Sequence, residues 1–316
     1  GLIWMGTYGV GLNKYNGIDL VAYKQEFDNP SSLNSSLVHT AYMDRANQLW
    51  VGTEVGLNLY QGEYDNFKQV SFYKKGIPLN SIVVKSIIQV DNDKLLIGSI
   101  ANGLFEVGIK TLIGSPVSID NHVSVPIMIN CMVRYSSGKV FIGSNKGLFE
   151  YDNGRVKKIV FENEVFNSNS AVNVESLLID DNGSLWMGTH SKGLIKVVTK
   201  PANPYLMHIY DITSERILTM VQGPDGNLLC GTENDGLFVV SKEGQLIKNY
   251  RHDKFDLNSI KSNSVWSLFV DLQDRIWIGY YNKGVGVYDR YYDKFKDIQS
   301  LPNVHNSLQS SSVTGI

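Results

Sequence analysis

The residues able to do chemistry are scattered along this chain. Six histidines, His39, His122, His190, His208, His252 and His305, form no HxH or HxxxH pair, so a metal site would need the fold to gather them. "DNDK" (residues 91–94) and "DDNG" (residues 180–183) look like pieces of a calcium loop. They lack the remaining ligands at the spacing such a loop requires, and read instead as hairpin turns. No G-x-S-x-G, P-loop or dinucleotide fingerprint occurs. "GVGLNKYNG" has closely spaced glycines but opens no helix, so no phosphate cradle is expected. Cys131 and Cys230 read as two small buried hydrophobes. No catalytic residue, metal or cofactor is expected from these patterns. With 29 basic and 31 acidic residues the net charge is −2, and no basic stripe suggests nucleic acid as a partner. No apolar run approaches the length of a membrane-spanning helix, and no signal-peptide pattern is seen.

What orders the chain is a phrase written seven times: "LIWMGTYGVGLNKY", "QLWVGTEVGLNLY", "KLLIGSIANGLFEV", "KVFIGSNKGLFEY", "SLWMGTHSKGLIKV", "NLLCGTENDGLFVV" and "RIWIGYYNKGVGVY". The marker glycines are Gly6, Gly52, Gly98, Gly143, Gly188, Gly231 and Gly279, at a period of about 45 residues. Each copy reads as two short strands broken by glycine. An Asp/Asn/Gly turn and another apolar run precede them, and a looser strand follows. Four strands per repeat and seven copies predict an all-β, seven-bladed β-propeller with four-stranded antiparallel blades. The 316 residues, 43% hydrophobic, suffice for one closed ring spanning 1–316. Gly1 matches the turn glycine Gly183, so the chain reads as starting inside a blade and as part of a longer one. "SSVTGI" at the C-terminus reads as that blade's innermost strand, so that both ends share one blade and close the ring.

The pattern inside the repeat concerns packing. Two positions before the marker stand Trp4, Trp50, Leu96, Phe141, Trp186, Leu229 and Trp277. Twelve before it stand small residues, Thr40 to Ser267 and then Gly315; fourteen before it the chain is always β-branched. Large against small across a blade interface is the expected packing, with the marker glycines admitting close backbone or a bulge. The connection inside each phrase varies. It carries Tyr8, Glu54, Asn102, Lys146, His190, Lys192, Glu233, Asp235, Tyr280, Tyr281 and Lys283, which are assigned to one rim of the ring. Tyr8, Glu54, His190, Tyr280 and Tyr281 are the candidate ligand- or partner-binding residues. The Tyr280–Tyr281 pair is taken as exposed aromatics able to stack on sugar rings. The other rim is assigned the long lead-in segments 28–38, 255–265 and 301–313, whose Asn and Ser residues can hold local turns.

"NSSLVHTAYMDRANQLWVGTEVGLNLY" and "NSIKSNSVWSLFVDLQDRIWIGYYNKGVGVY" resemble the two-component regulator propeller repeat, over essentially the whole chain and without the GH…WD signature of WD40 repeats. The Trp is replaced around Gly98, Gly143 and Gly231. The resemblance implies the periplasmic sensor region of a hybrid two-component histidine kinase. Such a region has two seven-bladed propellers and an immunoglobulin-like domain as neighbours, and is followed by a membrane helix, kinase, receiver and DNA-binding domain. It implies a homodimeric sensor of oligosaccharides that switches on polysaccharide-utilisation genes. The ligand site in such proteins involves the second propeller and neighbouring domains. This chain alone is therefore expected to bind free sugars weakly or not at all, its rim completing a site or dimer contact with its neighbours. Two other readings are carried: a propeller enzyme resembling streptogramin lyases, which would converge a His and acidic residues near the axis, and a purely structural interaction module.

Overall fold

The computed structural model describes residues 2–119, 127–135, 139–161, 172–198, 205–256, 258–289, 294–298, 307–308, 310 and 312–316. Among them the strands form seven sheets and there is no helix. The innermost strands are Val38–Met43, Val84–Gln89, Ile129–Arg134, Val174–Ile179, Ile217–Gln222, Val265–Val270 and Val313–Gly315. Each abuts the next around the ring, and Val313–Gly315 touches both Val265–Val270 and Val38–Met43. That last strand pairs antiparallel with Ile3–Thr7, so chain start and chain end share one blade. Six blades have four strands. The third is widened to six by a hairpin, Ser71–Lys74 with Ile77–Pro78, which pairs in parallel with its outer strand Ile113–Pro116.

The second strands carry the core. Leu49–Thr53, Val140–Ser144, Leu185–Thr189 and Leu228–Thr232 are buried at every residue, as strands sandwiched between blades must be. The marker glycines work differently from the expected large-against-small contact. Each small residue faces its marker glycine within the same blade: Thr40 opposite Gly52, Ser86 opposite Gly98, Cys131 opposite Gly143, Ser176 opposite Gly188. What crosses to the next blade is the β-branched residue. A Cβ added to Gly52 would meet Val84 Cγ1 at 2.5 Å, one on Gly98 would meet Ile129 Cγ2 at 2.4 Å, and one on Gly188 would meet Ile217 Cγ2 at 2.7 Å. The repeated glycine is thus the socket into which the following blade plugs.

The tryptophans fill the remaining interface space. Trp50 and Trp186 are wholly buried and Trp277 nearly so. Trp4 is half-buried and packs on Tyr60 of the next blade at 4.9 Å. Each fully buried indole N–H has a dedicated acceptor: Trp50 donates to Asp44 (2.9 Å), Trp186 to Asp180 (2.8 Å) and Trp277 to Asp271 (2.8 Å). The other oxygen of each carboxylate holds the hairpin turn, accepting for example from the N–H groups of Asn182 and Ser184. The turns themselves need a left-handed residue, supplied by Asn47, Gly183, Gly226 and Asp274.

One assignment is corrected by the alternation of strand direction. The sequence assigns the lead-in segments to the rim opposite the within-phrase connections, but the described parts of both lie on the same rim. Inner and second strands run antiparallel, so an inner strand begins where the second strand ends. Val38 is therefore paired with Thr53, and Glu54 N–H donates to Leu37 O. The lead-ins do hold local turns as expected: Ser32 Oγ accepts from Glu26 N–H, and Ser259 Oγ from Asp253 N–H. They pin the buried Leu33, Ile260 and Leu308 into the blade gaps. Residues 301–306, 309 and 311 of the third segment lie outside the described residues.

Candidate functional site

Every inner strand carries the same defect. Its first residue pairs with the end of the second strand and its third pairs with the marker glycine. The residue between is left over as a β-bulge. A bulge re-aims the side chain it frees, and here the seven freed residues are His39, Lys85, Asn130, Glu175, Leu218, Trp266 and Thr314. All seven line one cavity of about 720 Å³ on the ring axis, joined by Tyr8, Arg216, Glu233, Tyr281 and Asn282 from the connections above. This volume lies within the range of small-molecule sites.

The channel is polar and internally wired. Arg216 grips Glu175 with two contacts, Nε–Oε1 at 3.2 Å and Nη2–Oε2 at 3.0 Å, and reaches Glu233 at 3.4 Å. His190 Nδ1 lies 3.3 Å from Glu175 Oε1. His39 Nε2 is 2.6 Å from Glu54 Oε2. Burial pushes the His39 pKa below its ordinary value, against the raising effect of Glu54. For Arg216 burial acts to lower the pKa, but Glu175 outweighs it and holds the value above normal. Lys85 is open to the lumen yet surrounded by protein, and that desolvation lowers its pKa. Trp266 and Tyr281 stack at 4.8 Å and 23° at the channel wall, Tyr281 remaining 44% exposed.

Of the five candidate residues, Tyr8 and Tyr281 line the channel directly. Glu54 and His190 join through His39 and Glu175. Tyr280 does not belong: it is fully buried. The residue after a marker glycine points inward in every copy. In six copies it is Ser or Thr, whose hydroxyl closes the loop on a backbone carbonyl, as Thr189 Oγ1 does on Gly193 O at 2.8 Å. Tyr280 instead sinks its ring beside Gly286, where a Cβ would meet the phenol oxygen at 2.8 Å. Four other copies put Phe105, Phe149, Ile195 or Phe238 at that place, so a large and a small residue have exchanged positions. Asp235 turns away from the axis to pair with Arg251 and Thr213.

The channel residues themselves were missed. Their signal was present: between an always β-branched position and an always small one sits a single position with no pattern at all, reading His, Lys, Asn, Glu, Leu, Trp, Thr. His208 lies on an outer strand and His252 just before the 255–265 lead-in, its Nδ1 2.8 Å from Ile260 O; His122 and His305 lie outside the described residues. No cluster of three or more His, Cys, Asp or Glu suited to a metal ion occurs among the described residues. Both cysteines are free; burial raises the Cys131 thiol and pushes Cys230 up to about 12.

No family model and no curated protein matches the chain. Solved structures do. Two structures of the extracellular domain of B. thetaiotaomicron BT4673, called a hybrid two-component system in one and a one-component system in the other, align with TM-scores of 0.72 at 24% and 23% identity. They cover 91% and 96% of this chain, which spans only 36% and 38% of theirs. Virginiamycin B lyase from Staphylococcus aureus aligns with a TM-score of 0.64 at 8% identity, covering 85% of each chain. At these identities the likeness establishes the fold: the chain is a seven-bladed β-propeller, with the extracellular domain of a two-component sensor among its structural neighbours.

Proposed function

We propose that this chain is a non-catalytic sensor propeller of a hybrid two-component histidine kinase, lying in the periplasm and helping to regulate polysaccharide-utilisation genes. The observation that carries the reading is where the repeat permits variation. Glycine socket, β-branched plug and small facing residue are held in all seven copies, while the seven bulged positions facing the axis all differ. A ring built only to be rigid has no need of seven different lumen residues; a recognition site does. The rim around the channel also bears Phe27 and Phe255, 93% and 84% exposed at the tips of two lead-in segments. These suit contact with a second propeller, an immunoglobulin-like neighbour or a partner subunit. Because a closed ring deforms little, the ligand must act by favouring one arrangement of such neighbours over another.

The test is a transcriptional reporter driven by the full-length sensor, induced by a panel of glycan oligosaccharides. Trp266→Ala and Tyr281→Ala are expected to reduce induction at least ten-fold while the chain still folds by circular dichroism. Wild-type induction in both variants would overturn the assignment of this rim. Multiple-turnover cleavage of any panel member by the purified chain would overturn the non-catalytic reading.

A further inference from the structure

The seam between the sixth and seventh blades repeats the one before it, except for a vacancy. Around Trp186 of the fifth blade, Asp180 takes the indole N–H, Lys196 lies over the ring at 4.7 Å, and Tyr210 meets it at 5.7 Å and 37°. Leu228 and Cys230 of the sixth blade close the far wall. One repeat later, the strand registers put Leu229 in the place of Trp186, Val239 in that of Lys196 and Tyr250 in that of Tyr210. Gly223 stands for Asp180, and Ile276 and Ile278 of the seventh blade stand for Leu228 and Cys230. All six border a pocket of about 200 Å³, which shares no described lining residue with the axial channel. Two other blades also lack the tryptophan, yet neither leaves the acid position empty. Val90 packs onto the cluster around Leu96, and Tyr135 meets Phe141 edge-on at 5.6 Å. Gly223 contributes no side chain; a Cβ added there would meet Leu229 Cδ1 at 3.6 Å.

We propose that this pocket is a binding site for a small aromatic molecule of indole size. The place is one that the same fold fills with an indole at Trp50, Trp186 and Trp277, so its walls are already spaced for a flat bicyclic ring. An apolar cavity of about 150 Å³ is enough to take up benzene, and this pocket is larger. Leu229, Ile276 and Ile278 offer alkyl walls whose loss of water drives entry. Tyr250 stands as Tyr210 does, placed for a tilted ring contact. Asp225 and Asp274 also border the pocket, and their like charge turns aromatic acids away. Leu229 keeps the position from which a Trp side chain would spring. A free ring therefore fits, and a ring carrying its own peptide backbone does not. The site is independent of the sensor reading and of the axial channel.

The test is a titration of the 316-residue chain with indole and with benzothiophene, the same bicycle with sulfur in place of the N–H, followed by methyl NMR. Both are expected to move the Leu229, Ile276 and Ile278 methyl resonances by ring current. N-acetyltryptophanamide should bind about ten-fold more weakly than indole, because its backbone overpacks the site. Leu229→Trp, shown by its melt to be folded, should abolish binding of both ligands. Gly223→Asp returns the missing acceptor, its new Cβ needing only the exposed Asp225 carboxylate, 3.0 Å away, to give. It should raise the preference for indole over benzothiophene about ten-fold. Unmoved methyls at this seam, binding that survives Leu229→Trp, or tighter binding of N-acetyltryptophanamide than of indole would each overturn the inference. So would an unchanged preference in Gly223→Asp, because the ring would then not lie where the other blades hold theirs.

Discussion

At the scale of single residues, the tryptophan and its carboxylate behave as one unit. Eight positions before the marker glycine stand Asp44, Asp180 and Asp271 in the blades that carry a buried Trp. In the blades with Leu96, Phe141 and Leu229 the same position is Val90, Tyr135 and Gly223. An indole N–H sealed between blades must have an acceptor, so where the indole goes the carboxylate goes too. Trp186→Ala should cost roughly 3–5 kcal/mol by emptying a large aromatic site. Asp180→Ala should cost about 1–3 kcal/mol by orphaning the indole. Thermal or urea melts read both, and parental stability in either would refute the packing. Acid should act through Asp271, the partner of Trp277. Burial alone would raise the Asp271 pKa, but hydrogen bonds from Trp277 and Arg275 hold it below its ordinary 3.8. Its contribution is therefore complete above that value and is lost as pH falls through the depressed folded pKa. Asp271→Asn should flatten the acid limb of the stability profile between those two pKa values; an unchanged limb would refute the linkage.

At the scale of strands and blades, the glycine socket and the missing Trp–Asp pair give opposite expectations. Gly188→Ala forces a Cβ to 2.3 Å from Ser176 Oγ and 2.7 Å from Ile217 Cγ2. Overpacking of this kind costs about 1–3 kcal/mol, seen as a lowered melting temperature. Between the sixth and seventh blades, Gly223 and Leu229 border a partly open pocket of about 200 Å³, lined by the apolar Leu237 and Ile278 and by Tyr288, with Asp225 and Asp274 also in its wall. Installing the absent unit, Gly223→Asp with Leu229→Trp, should raise stability by about 0.5–2 kcal/mol, as cavity filling does. Leu229→Trp alone should gain less, because its N–H would lack the carboxylate. If the single variant equals the double, the pairing rule is wrong.

For the whole molecule the decisive contact is the shared blade. Val313 is fully buried and plugs the Gly279 socket, while Gly315 pairs with Gly6. Deleting residues 312–316 should leave two blade faces unmatched, lower the melting temperature and broaden the transition. A sharp, unshifted melt would show that the ring holds without its closing strand. A ring closed in this way also fixes the seven bulges at set distances around the axis, so the channel is preorganised before any ligand arrives.

The sequence alone determined blade number, strand count in six blades, ring closure and the buried Trp slot, because these follow from a periodicity that every copy repeats. Tyr8 and Tyr281, assigned from the sequence to one rim, line the axial channel. The sequence misassigned Tyr280, since only the folded blade reveals the space that Gly286 vacates for its ring. It put the lead-in segments on the wrong rim and did not separate the extra hairpin at Ser71–Lys74 from the fourth strand before it. Above all, it gave no weight to His39, Lys85, Asn130, Glu175 and Trp266, which lie about 45 residues apart or more. A repeat advertises what is constant, because packing between blades demands it. A site on the axis is made from what differs between copies, and only closing the ring brings one such residue from each blade to the same place.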